Sequence, residues 1–483
     1  MQDIKLDKYQ RKAVKAKNKD VLIIAPAGSG KTFTIVQKVK EIIKQGTQPE
    51  EILCISFTNA AAQSLERKLY KEKINSKVKT FHSLGYEIIS QYKDVKIVPE
   101  NLLSDIIDKS IKNSKYLNKI VNAKFKRIGG KSKIYNKLEN NIIYNSKYKG
   151  RLNRTMNTFV NLYNGQNYKI DMFEIFKQKN KQENIYDKRK RHEYFLNLMK
   201  YTIKRYEKIL KKNQYVDYNS IINDAIETVK KAKLQNYRYI LIDEYQDISM
   251  NKAILIKEIK KKTKANIIAV GDDWQSIYAF TGSNLEVFTK FKKIFPKSKI
   301  IKLKNTYRNP KEICEISKKF ICKNKSQIKK KVSSSKSIPK PIHIYYYDKD
   351  ISEVWNKIID KTSNKETLVL GRNNSDIIKI PKIKSNMKYM TIHKSKGLES
   401  YYTVIINLEN KYNSIPSKIE DSEYLEYVKQ KYDSFPYSEE RRLFYVALTR
   451  SKSETILVVN KNSPSIFVKE LIKDYAKMIK IHI

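Results

Sequence analysis

The sequence predicts an α/β fold with two parallel-sheet units in tandem, the first of which is interrupted by a helical insertion. Short apolar runs alternate with helical apolar spacing before residue 90, again between residues 215 and 302, and once more after residue 302. Residues 91–214 instead show helical spacing, are rich in Lys, Tyr and Asn, and contain few strand-like runs. Strands that alternate with helices form parallel sheets, whose ligands bind at the carboxyl ends of the strands.

The expected strands are short runs of mostly apolar residues, as in strands that helices cover on both faces. In the first unit they lie at residues 20–24, 52–57, 239–242 and 266–270. In the second unit they lie at residues 341–347, 367–370, 389–392, 402–408 and 455–459. Residues 323–340 are rich in Lys and Ser, and we expect them to form a flexible surface loop.

The strongest bulk property is positive charge. The 483 residues include 99 Lys and Arg against 50 Asp and Glu, a net charge of +49. Such an excess repels itself unless a polyanion offsets it, and nucleic acid is the expected polyanion. An AT-rich genome, whose codons favour Lys, Asn, Ile and Tyr, is the alternative explanation, and the 34 tyrosines agree with it. The charge alone therefore leaves both explanations open.

Other bulk features exclude whole classes of protein. No stretch approaches the ~20 apolar residues of a membrane span, and the first residues lack the apolar segment of a secretory signal. The three cysteines, Cys54, Cys314 and Cys322, give neither a disulfide framework nor a paired metal spacing. We therefore expect an intracellular protein, cytoplasmic or nuclear, with no membrane partner.

Residues 25–32, APAGSGKT, fit the phosphate-binding pattern GxxxxGK[ST], with Ala25 in place of its first glycine. The segment follows an expected strand and opens an expected helix, so its backbone N–H groups can surround phosphates. Lys31 should reach the β- and γ-phosphates, and Thr32 should ligate Mg²⁺. The alternative is a chance glycine turn. The nucleotide-binding residues predicted in this P-loop are Ala27, Gly28, Ser29, Gly30, Lys31 and Thr32.

Two adjacent carboxylates, Asp243 and Glu244, follow the expected strand at residues 239–242. Asp243 lies where a carboxylate can hold Mg²⁺, and Glu244 where a base can orient the attacking water. The alternative is a solvated turn, but the upstream P-loop favours catalysis.

Residues 243–247, DEYQD, resemble motif II of superfamily 1 helicases of the UvrD/Rep type, whose usual form is DEXQD. Residues 271–278, GDDWQSIY, resemble motif III in the sequence form found in helicase IV-like members. The other segments that resemble family motifs follow in family order along nearly the whole chain. They are residues 6–10, 57–62, 80–83, 305–308, 391–399, 440–450 and 464–467.

The resemblance implies two RecA-like domains in tandem, with a helical insertion named 1B in the first. Domain 1A would then comprise residues 1–90 and 215–295, 1B residues 91–214, and 2A residues 296–483. The larger relatives carry a further domain, 2B, between the strand after motif IV and motif V. Here residues 368–373 resemble that strand and motif V begins at Thr391, so 2B should be absent or minimal.

The resemblance also implies roles around ATP and Mg²⁺. Arg308 and Arg450 match the two arginine fingers, and Gln275 matches the residue that senses the γ-phosphate. Gln10 should read adenine, Tyr307 should stack on it, and Glu399 should contact the ribose. Added to the P-loop residues, these give a predicted catalytic set of Lys31, Asp243, Glu244, Gln275, Arg308 and Arg450.

Aromatic stacking and backbone charge hold single strands, so aromatic residues in the motifs are candidates for DNA contact. The predicted DNA-binding residues are Phe57, His82, Tyr278, Phe280, His393 and Lys394. Family members often have Trp where Phe280 stands, a departure that keeps an aromatic face. Ordinary core packing is the alternative for each ring. Asp217 and Tyr218 match a place where the chain re-enters domain 1A, and we assign them no chemistry.

The resemblance implies an ATP-dependent single-stranded DNA translocase and helicase. We expect it to move 3′-to-5′ as a monomer on single strands and single-strand/duplex junctions, in DNA repair, recombination or replication. Three alternatives remain open: a DNA-stimulated ATPase that acts as a switch or loader, an inactive scaffold, and an RNA motor of the same superfamily. Because 2B gates unwinding in the larger relatives, its expected absence favours translocation over duplex unwinding.

Overall fold

Two six-stranded sheets organise the chain in the computed structural model. The structure describes residues 5–17, 20–112, 146–165, 171–179, 186–419, 422–429 and 433–482. The strands are β1 Val21–Ile24, β2 Ile52–Ser56, β3 Lys77–Thr80, β4 Lys96–Ile97, β5 Tyr215–Val216, β6 Tyr239–Ile242, β7 Asn266–Gly271, β8 Lys299–Lys302, β9 Ile342–Tyr347, β10 Thr367–Gly371, β11 Met387–Thr391, β12 Ser400–Ile405, β13 Ser451–Asn460 and β14 Ile479–His482.

Helices cover both sheets and form most of the insertion. They are α1 Lys8–Val14, α2 Lys31–Lys44, α3 Asn59–Lys71, α4 Phe81–Ile89, α5 Leu102–Lys112, α6 Ser146–Asn164, α7 Met172–Lys179, α8 Tyr186–Asn213, α9 Tyr218–Thr228, α10 Met250–Thr263, α11 Leu285–Thr289, α12 Phe291–Ile294, α13 Lys311–Ile321, α14 Ser352–Thr362, α15 Ser438–Leu448 and α16 Ile466–Tyr475. Among the described residues, none of these helices has the length and apolar character needed to cross a membrane.

The first sheet has the order β3-β2-β6-β7-β1-β8, and all of its strand pairs are parallel. Leu22 and Ile24 pack into one apolar core while Val21 and Ile23 pack into another, because successive side chains of a strand point to opposite faces. The second sheet has the order β11-β10-β12-β13-β9-β14 and is also parallel throughout. The predicted tandem α/β architecture is therefore confirmed.

The expected boundary between the sheet units, at residues 295 and 296, is too early. β8, Lys299–Lys302, pairs with β1 and so belongs to the first sheet. β8 is an edge strand in which only Ile301 is buried, so its sequence lacks the apolar run by which the other strands were predicted.

A third core lies among the helices between the two halves of the first sheet. The parallel pair β4 and β5 lies where the chain enters and leaves this region. Phe159, Phe195 and Met199 are fully buried at the centre of this helical core. Leu425 and Tyr427, which lie between β12 and α15 of the second unit, are buried in the same core. The insertion is therefore packed against both units.

The Lys/Ser-rich segment at residues 323–340 is not the exposed flexible loop that its composition predicts. Asn324, Gln327 and Lys330 are almost fully buried, and Ser333 forms a bridge with Asn305. Partners far along the chain bury these polar side chains, and local composition carries no sign of such partners.

Candidate active site

The turn between β1 and α2 has the geometry of a phosphate-binding loop. β1 ends at Ile24, and α2 begins at Lys31 with Gly30 at its N-cap. Gly28 and Gly30 have φ of +69° and +77°, a left-handed conformation that glycine adopts without the steric cost of a Cβ. The first N–H groups of α2 lack helical partners, so an anion in the loop can accept from them.

Lys31 lies beside the two carboxylates that follow β6. Its Nζ is 2.8 Å from Glu244 Oε2, and the two side chains are 13% and 19% exposed. Glu244 has a φ of +51°, which costs energy in a residue with a side chain. Its N–H donates to Asp243 Oδ1 at 2.8 Å. This strained turn directs Glu244 towards the P-loop lysine.

Burial and nearby charges separate the acidities of the two carboxyl groups. Burial and the charge of Glu244 raise the pKa of Asp243 to about 6. Burial also acts to raise the pKa of Glu244, but the positive charges of Lys31 and Lys396 outweigh it and lower that pKa to about 2. Burial opposes the charge on Lys31, yet Glu244, Asp243 and Asp272 raise its pKa above the usual value. On acidification Asp243 therefore takes up a proton before Glu244 does.

Arg450 extends from the end of α15 to the first unit and is 1% exposed. Its Nη2 donates to Gln275 Oε1 at 3.3 Å, and its Nε donates to Val446 O at 3.0 Å. Burial and the neighbouring Arg308 lower the pKa of Arg450 to about 9, so the guanidinium stays charged at neutral pH. A positive charge is thus held against the segment that follows β7.

Arg308 lies against the P-loop itself, on the connection between the two sheets. Tyr307 N–H donates to Gly28 O at 2.8 Å, and a Cβ added at Gly28 would lie 2.5 Å from Arg308 Cβ. Arg308 Nε is 2.8 Å from Glu399 Oε2, and Nη1 donates to Thr449 O at 3.2 Å. The two predicted arginine fingers therefore both lie at the interface that contains the P-loop.

A continuous hydrogen-bonded path joins the second unit to the P-loop. Gln275 Nε2 donates to Asp272 Oδ2 at 2.6 Å, and Asp272 N–H donates to Gln246 Oε1 at 2.9 Å. Gln246 Nε2 in turn donates to Glu244 Oε2 at 2.5 Å. The members of the path, in order, are Arg450, Gln275, Asp272, Gln246, Glu244 and Lys31.

Gln10 is buried behind the P-loop and is only 2% exposed. Its Nε2 donates to Ser29 O at 3.1 Å, and its Oε1 accepts from Asp7 N–H at 3.1 Å. Asp7 Oδ2 accepts from the Tyr307 hydroxyl at 2.6 Å, which leaves the Tyr307 ring half exposed. Gln10 and Tyr307 thus lie on one hydrogen-bonded wall beside the loop.

An aromatic cluster spans the two units next to this site. Phe57 and Tyr278 stack with ring centroids 5.5 Å apart, and Phe280 lies 5.9 Å from Tyr278. Phe280 also lies 5.6 Å from His393, whose carbonyl accepts from the Tyr278 hydroxyl at 3.2 Å. Phe280 is 55% exposed, so a flat ligand can reach its face. Tyr278 and Phe280 follow Gln275 within a few residues, so one segment contacts both sites.

A groove of about 970 Å³ continues from Phe57 between the first sheet and the insertion. Its lining includes Phe57, Lys77, Lys79, His82, Tyr86 and Tyr218. His82 lies 5.0 Å from the Tyr218 ring, and burial together with the charge of Lys252 lowers the pKa of His82 to about 4. The pKa of His393 is likewise lowered to about 4 by burial and by Arg372. Both histidine rings are therefore neutral at physiological pH.

Comparison with known proteins identifies the family. Residues 6–296 match the UvrD/REP helicase N-terminal domain, and residues 381–462 match the UvrD-like helicase C-terminal domain. The first match alone covers more than half of the 483 residues.

The chain belongs to the UvrD/Rep helicase family.

Curated relatives in this family include DNA helicase IV of Escherichia coli (strain K12), 28% identical over 96% of this chain and 70% of that protein. ATP-dependent DNA helicase Rep of Buchnera aphidicola subsp. Acyrthosiphon pisum (strain APS) is 28% identical over 83% of this chain and 61% of that protein. ATP-dependent DNA helicase PcrA of Staphylococcus aureus (strain Mu50 / ATCC 700699) is 26% identical over 82% of this chain and 53% of that protein. The chain thus spans only part of the length of each relative.

Most of the residues predicted from UvrD/Rep motifs meet at the interface between the two units. Glu399 lies there too, paired with Arg308 and, at 3.0 Å, with Lys452. Thr32 lies in the first turn of α2, next to Lys31. Lys394 has an exposed side chain beside His393, at the edge of the aromatic cluster. The roles assigned to these residues from the UvrD/Rep resemblance stay predictions.

Three further residues, to which the sequence motifs assigned no role, lie in or beside this site. Lys396 pairs with Asp247 and donates to Gln275 O at 2.7 Å, which joins motif V to motifs II and III. Asp7 accepts a hydrogen bond from the Tyr307 hydroxyl. Its spacing from Gln10 is that of a capping box, so its position at a helix N-terminus could have been predicted from the local sequence. Tyr218 is 66% exposed on the groove, although its sequence position suggested only chain re-entry.

Proposed function

We propose that this UvrD/Rep family chain is an ATP-dependent motor that moves along single-stranded DNA and separates duplex at junctions. The observation that supports it most is the hydrogen-bonded path from Arg450 to Lys31 across the interface. That path passes through Gln275, three residues before Tyr278 in the aromatic cluster. ATP chemistry and strand contact therefore share one segment.

The nucleotide site uses side chains suited to ATP and Mg²⁺. Thr32 and Asp243 supply hard oxygen ligands of the kind Mg²⁺ prefers. When bound, Mg²⁺ would neutralise phosphate charge beside the P-loop. Lys31 carries the charge that suits β- and γ-phosphates, while Gln10 and Tyr307 flank the side where the base would lie.

The Lys31–Glu244 ion pair gives the site a switch. A phosphate that binds Lys31 competes with Glu244 for the ammonium and weakens the Lys31–Glu244 pair. Glu244 is then released to orient a water molecule for attack. Lys396, the second cation that lowers the pKa of Glu244, favours the ionised carboxylate, which can accept a hydrogen bond from that water.

Arg308 and Arg450 supply positive charge. Their stabilising effect is greatest in the transition state, because negative charge then spreads over the transferring phosphoryl group. Both lie on or beyond the connection to the second unit, so their approach to the γ-phosphate depends on how the units are placed. ATP binding would draw the units together, and product release would let them separate.

Strand contact is proposed for Phe57, His82, Tyr278, Phe280, His393 and Lys394. The neutral rings of His82 and His393 suit stacking and hydrogen bonding more than ion pairing with phosphate. Lys77 and Lys79 line the groove and both pair with Glu87, which leaves this cluster with a net positive charge. Movement 3′-to-5′, action as a monomer, and a place in DNA repair, recombination or replication are proposed from the family resemblance.

A second candidate is a single-strand translocase that does not unwind duplex. The supporting observation is the short connection at residues 372–386 between β10 and β11, where the larger relatives carry domain 2B. Asp376 fixes the first turn of this connection by accepting from the N–H groups of Arg372 and Asn373 at 2.8 and 3.0 Å. The chain therefore has a compact turn in place of a separate domain there.

The experiment compares ATP hydrolysis with single-stranded DNA, duplex DNA and RNA for the wild type and Lys31→Ala. We expect strong stimulation by single-stranded DNA and no turnover by the variant. Equal rates with and without nucleic acid would contradict a motor. Unwinding of a duplex with a 3′ tail, compared with a 5′ tail, separates the two candidates and tests the direction.

A further inference from the structure

Lys330, a fully buried lysine of the second unit, reaches across the interface to the segment that contains Gln275, the predicted γ-phosphate sensor. Lys330 belongs to the segment after α13 in the second unit, and its side chain is 0% exposed. Its Nζ pairs with Asp272 and lies 2.5 Å from Asp273 Oδ1, on the first unit. The same ammonium lies 4.2 Å from the centroid of the Trp274 ring. One cation thus serves two adjacent carboxylates that are themselves 0% exposed.

Backbone contacts on both sides hold this lysine in place. Ile328 N–H donates to Asp273 Oδ2 at 2.7 Å. Trp274 Nε1–H donates to Ile328 O at 3.1 Å. Residues 328–330 therefore contact three consecutive residues of motif III, and the geometry of each segment depends on the other.

Asp272 is the junction between this lysine and the catalytic path. One of its oxygens, Oδ1, pairs with Lys330, while Oδ2 accepts from Gln275 Nε2 at 2.6 Å. Because Gln275 donates to Asp272 through Nε2, its Oε1 is the atom that faces Arg450, at 3.3 Å. The carboxylate orientation therefore decides which end of the Gln275 amide points at the arginine.

We propose that Lys330 is a positioning residue for ATP hydrolysis, which from the second unit fixes Asp272 so that Gln275 is aligned with Arg450. This inference rests on the proposed ATPase function. The orientation of Gln275 in the first unit then depends on two residues of the second unit, Lys330 and Arg450. Alignment of Gln275 then requires that the two units are docked.

A purely structural role would have a different signature. Two buried carboxylates without their cation repel each other and destabilise the fold. Asp273→Asn removes one of these charges, so the double variant Lys330→Met/Asp273→Asn restores the local charge balance. If Lys330 only neutralises charge, this second change restores activity together with stability. If Lys330 orients the Asp272 carboxylate, the double variant regains stability but not turnover.

The experiment uses the full chain in four forms: wild type, Lys330→Met, Lys330→Met/Asp273→Asn, and Lys331→Met as the matched control. Lys331 is the neighbouring lysine and is exposed. The readouts are kcat and KM for ATP with saturating single-stranded DNA, and the affinity for that DNA without nucleotide. We expect kcat to fall at least about tenfold in both Lys330 variants, since misplaced transition-state donors cost that much or more. KM, DNA affinity and the control should stay within about twofold, because ordinary surface changes have small effects.

Wild-type kcat in the double variant would overturn the inference, as would wild-type kcat in Lys330→Met. A wild type without DNA-stimulated turnover would instead overturn the proposed function, so the two failures are distinguishable. If Lys330→Met does not fold, the double variant still decides the question. Trp274 fluorescence in a Trp355→Phe background tests the buried contact itself, because the Lys330 ammonium lies 4.2 Å from the Trp274 ring. Its emission should shift in both Lys330 variants and stay unchanged in Lys331→Met. An unshifted emission would contradict this contact and would overturn the inference that rests on it.

Discussion

Replacing Glu244 with glutamine should change ATP binding and ATP turnover in opposite directions. The substitution keeps the shape and the oxygen that accepts from Gln246, but it removes the charge that pairs with Lys31 at 2.8 Å. Because the pair is largely but not fully buried, we take its interaction free energy to lie between those of exposed and buried ion pairs, at about 1–2 kcal/mol. In the variant, bound phosphate no longer competes with a carboxylate for Lys31, so ATP should bind up to about 5- to 30-fold tighter.

Turnover should fall at the same time, because the carboxylate that orients the attacking water is gone. A loss of about 10²- to 10⁴-fold in kcat is expected for a general base. Binding is measured by equilibrium titration with a fluorescent ATP analogue, and kcat by steady-state hydrolysis with single-stranded DNA. Glu227→Gln is the matched control, because Glu227 is an exposed glutamate on α9 of the same unit. Unchanged or weaker ATP binding by Glu244→Gln would refute the proposed competition for Lys31.

Three further outcomes follow from the same geometry. Arg450→Lys keeps a positive charge but cannot reproduce the guanidinium contacts with Gln275 and Val446, so kcat should fall about 10³-fold or more while DNA affinity is retained, as hydrolysis and anisotropy assays would show. Asp243 has a pKa raised to about 6 and must lose its proton to bind Mg²⁺, so the apparent Mg²⁺ affinity should weaken about tenfold for each pH unit below that value, and a Mg²⁺ titration that is flat between pH 5 and 7 would contradict this. Phe280→Ala removes a half-exposed ring, so it should weaken single-strand binding by about 1–3 kcal/mol with little change in thermal stability, whereas Phe280→Trp should bind normally.

Local patterns in the sequence were enough to predict the parts of the site that depend on neighbours along the chain. The P-loop lies between β1 and α2 because an apolar strand, two glycines and a helix follow one another directly. Asp243 and Glu244 lie at the carboxyl end of β6 for the same reason. Parallel pairing then places both ends at one edge of the sheet, so their proximity was predictable.

Contacts between distant segments could not be predicted in this way. Lys330 lies in a segment whose composition indicates a solvated loop. Its side chain is nevertheless fully buried, and it pairs there with Asp272 and Asp273, which lie far earlier in the chain. Tyr427 likewise lies between two motifs of the second unit, residues 391–399 and 440–450, but packs into the core of the insertion and bonds His192 through its hydroxyl at 2.5 Å. Such pairs are fixed by the relative placement of whole elements, and a single sequence carries no pattern for that placement.

β8 illustrates an intermediate case. Its sequence, KIIK, is too polar to indicate a buried strand, and it lies at the sheet edge, where one flank needs no partner. The pairing with β1 depends on the chain returning to the first sheet after β7, which is a topological property. The boundary between the units was therefore predicted a few residues too early, although the order of the units was right.

We propose that residues of both units act on one nucleotide while the adjoining aromatic cluster holds the strand. The most direct test of this proposal is a structure of the chain with single-stranded DNA, Mg²⁺, ADP and aluminium fluoride, which mimics the transferring phosphoryl group. We predict that the guanidinium groups of Arg308 and Arg450 lie within about 3.2 Å of the fluoride, the range of a charged hydrogen bond. Lys31 and Gln275 should contact the same group, with a base stacked on Phe280. Arginines that remain remote from the fluoride, with the strand bound elsewhere, would contradict the account.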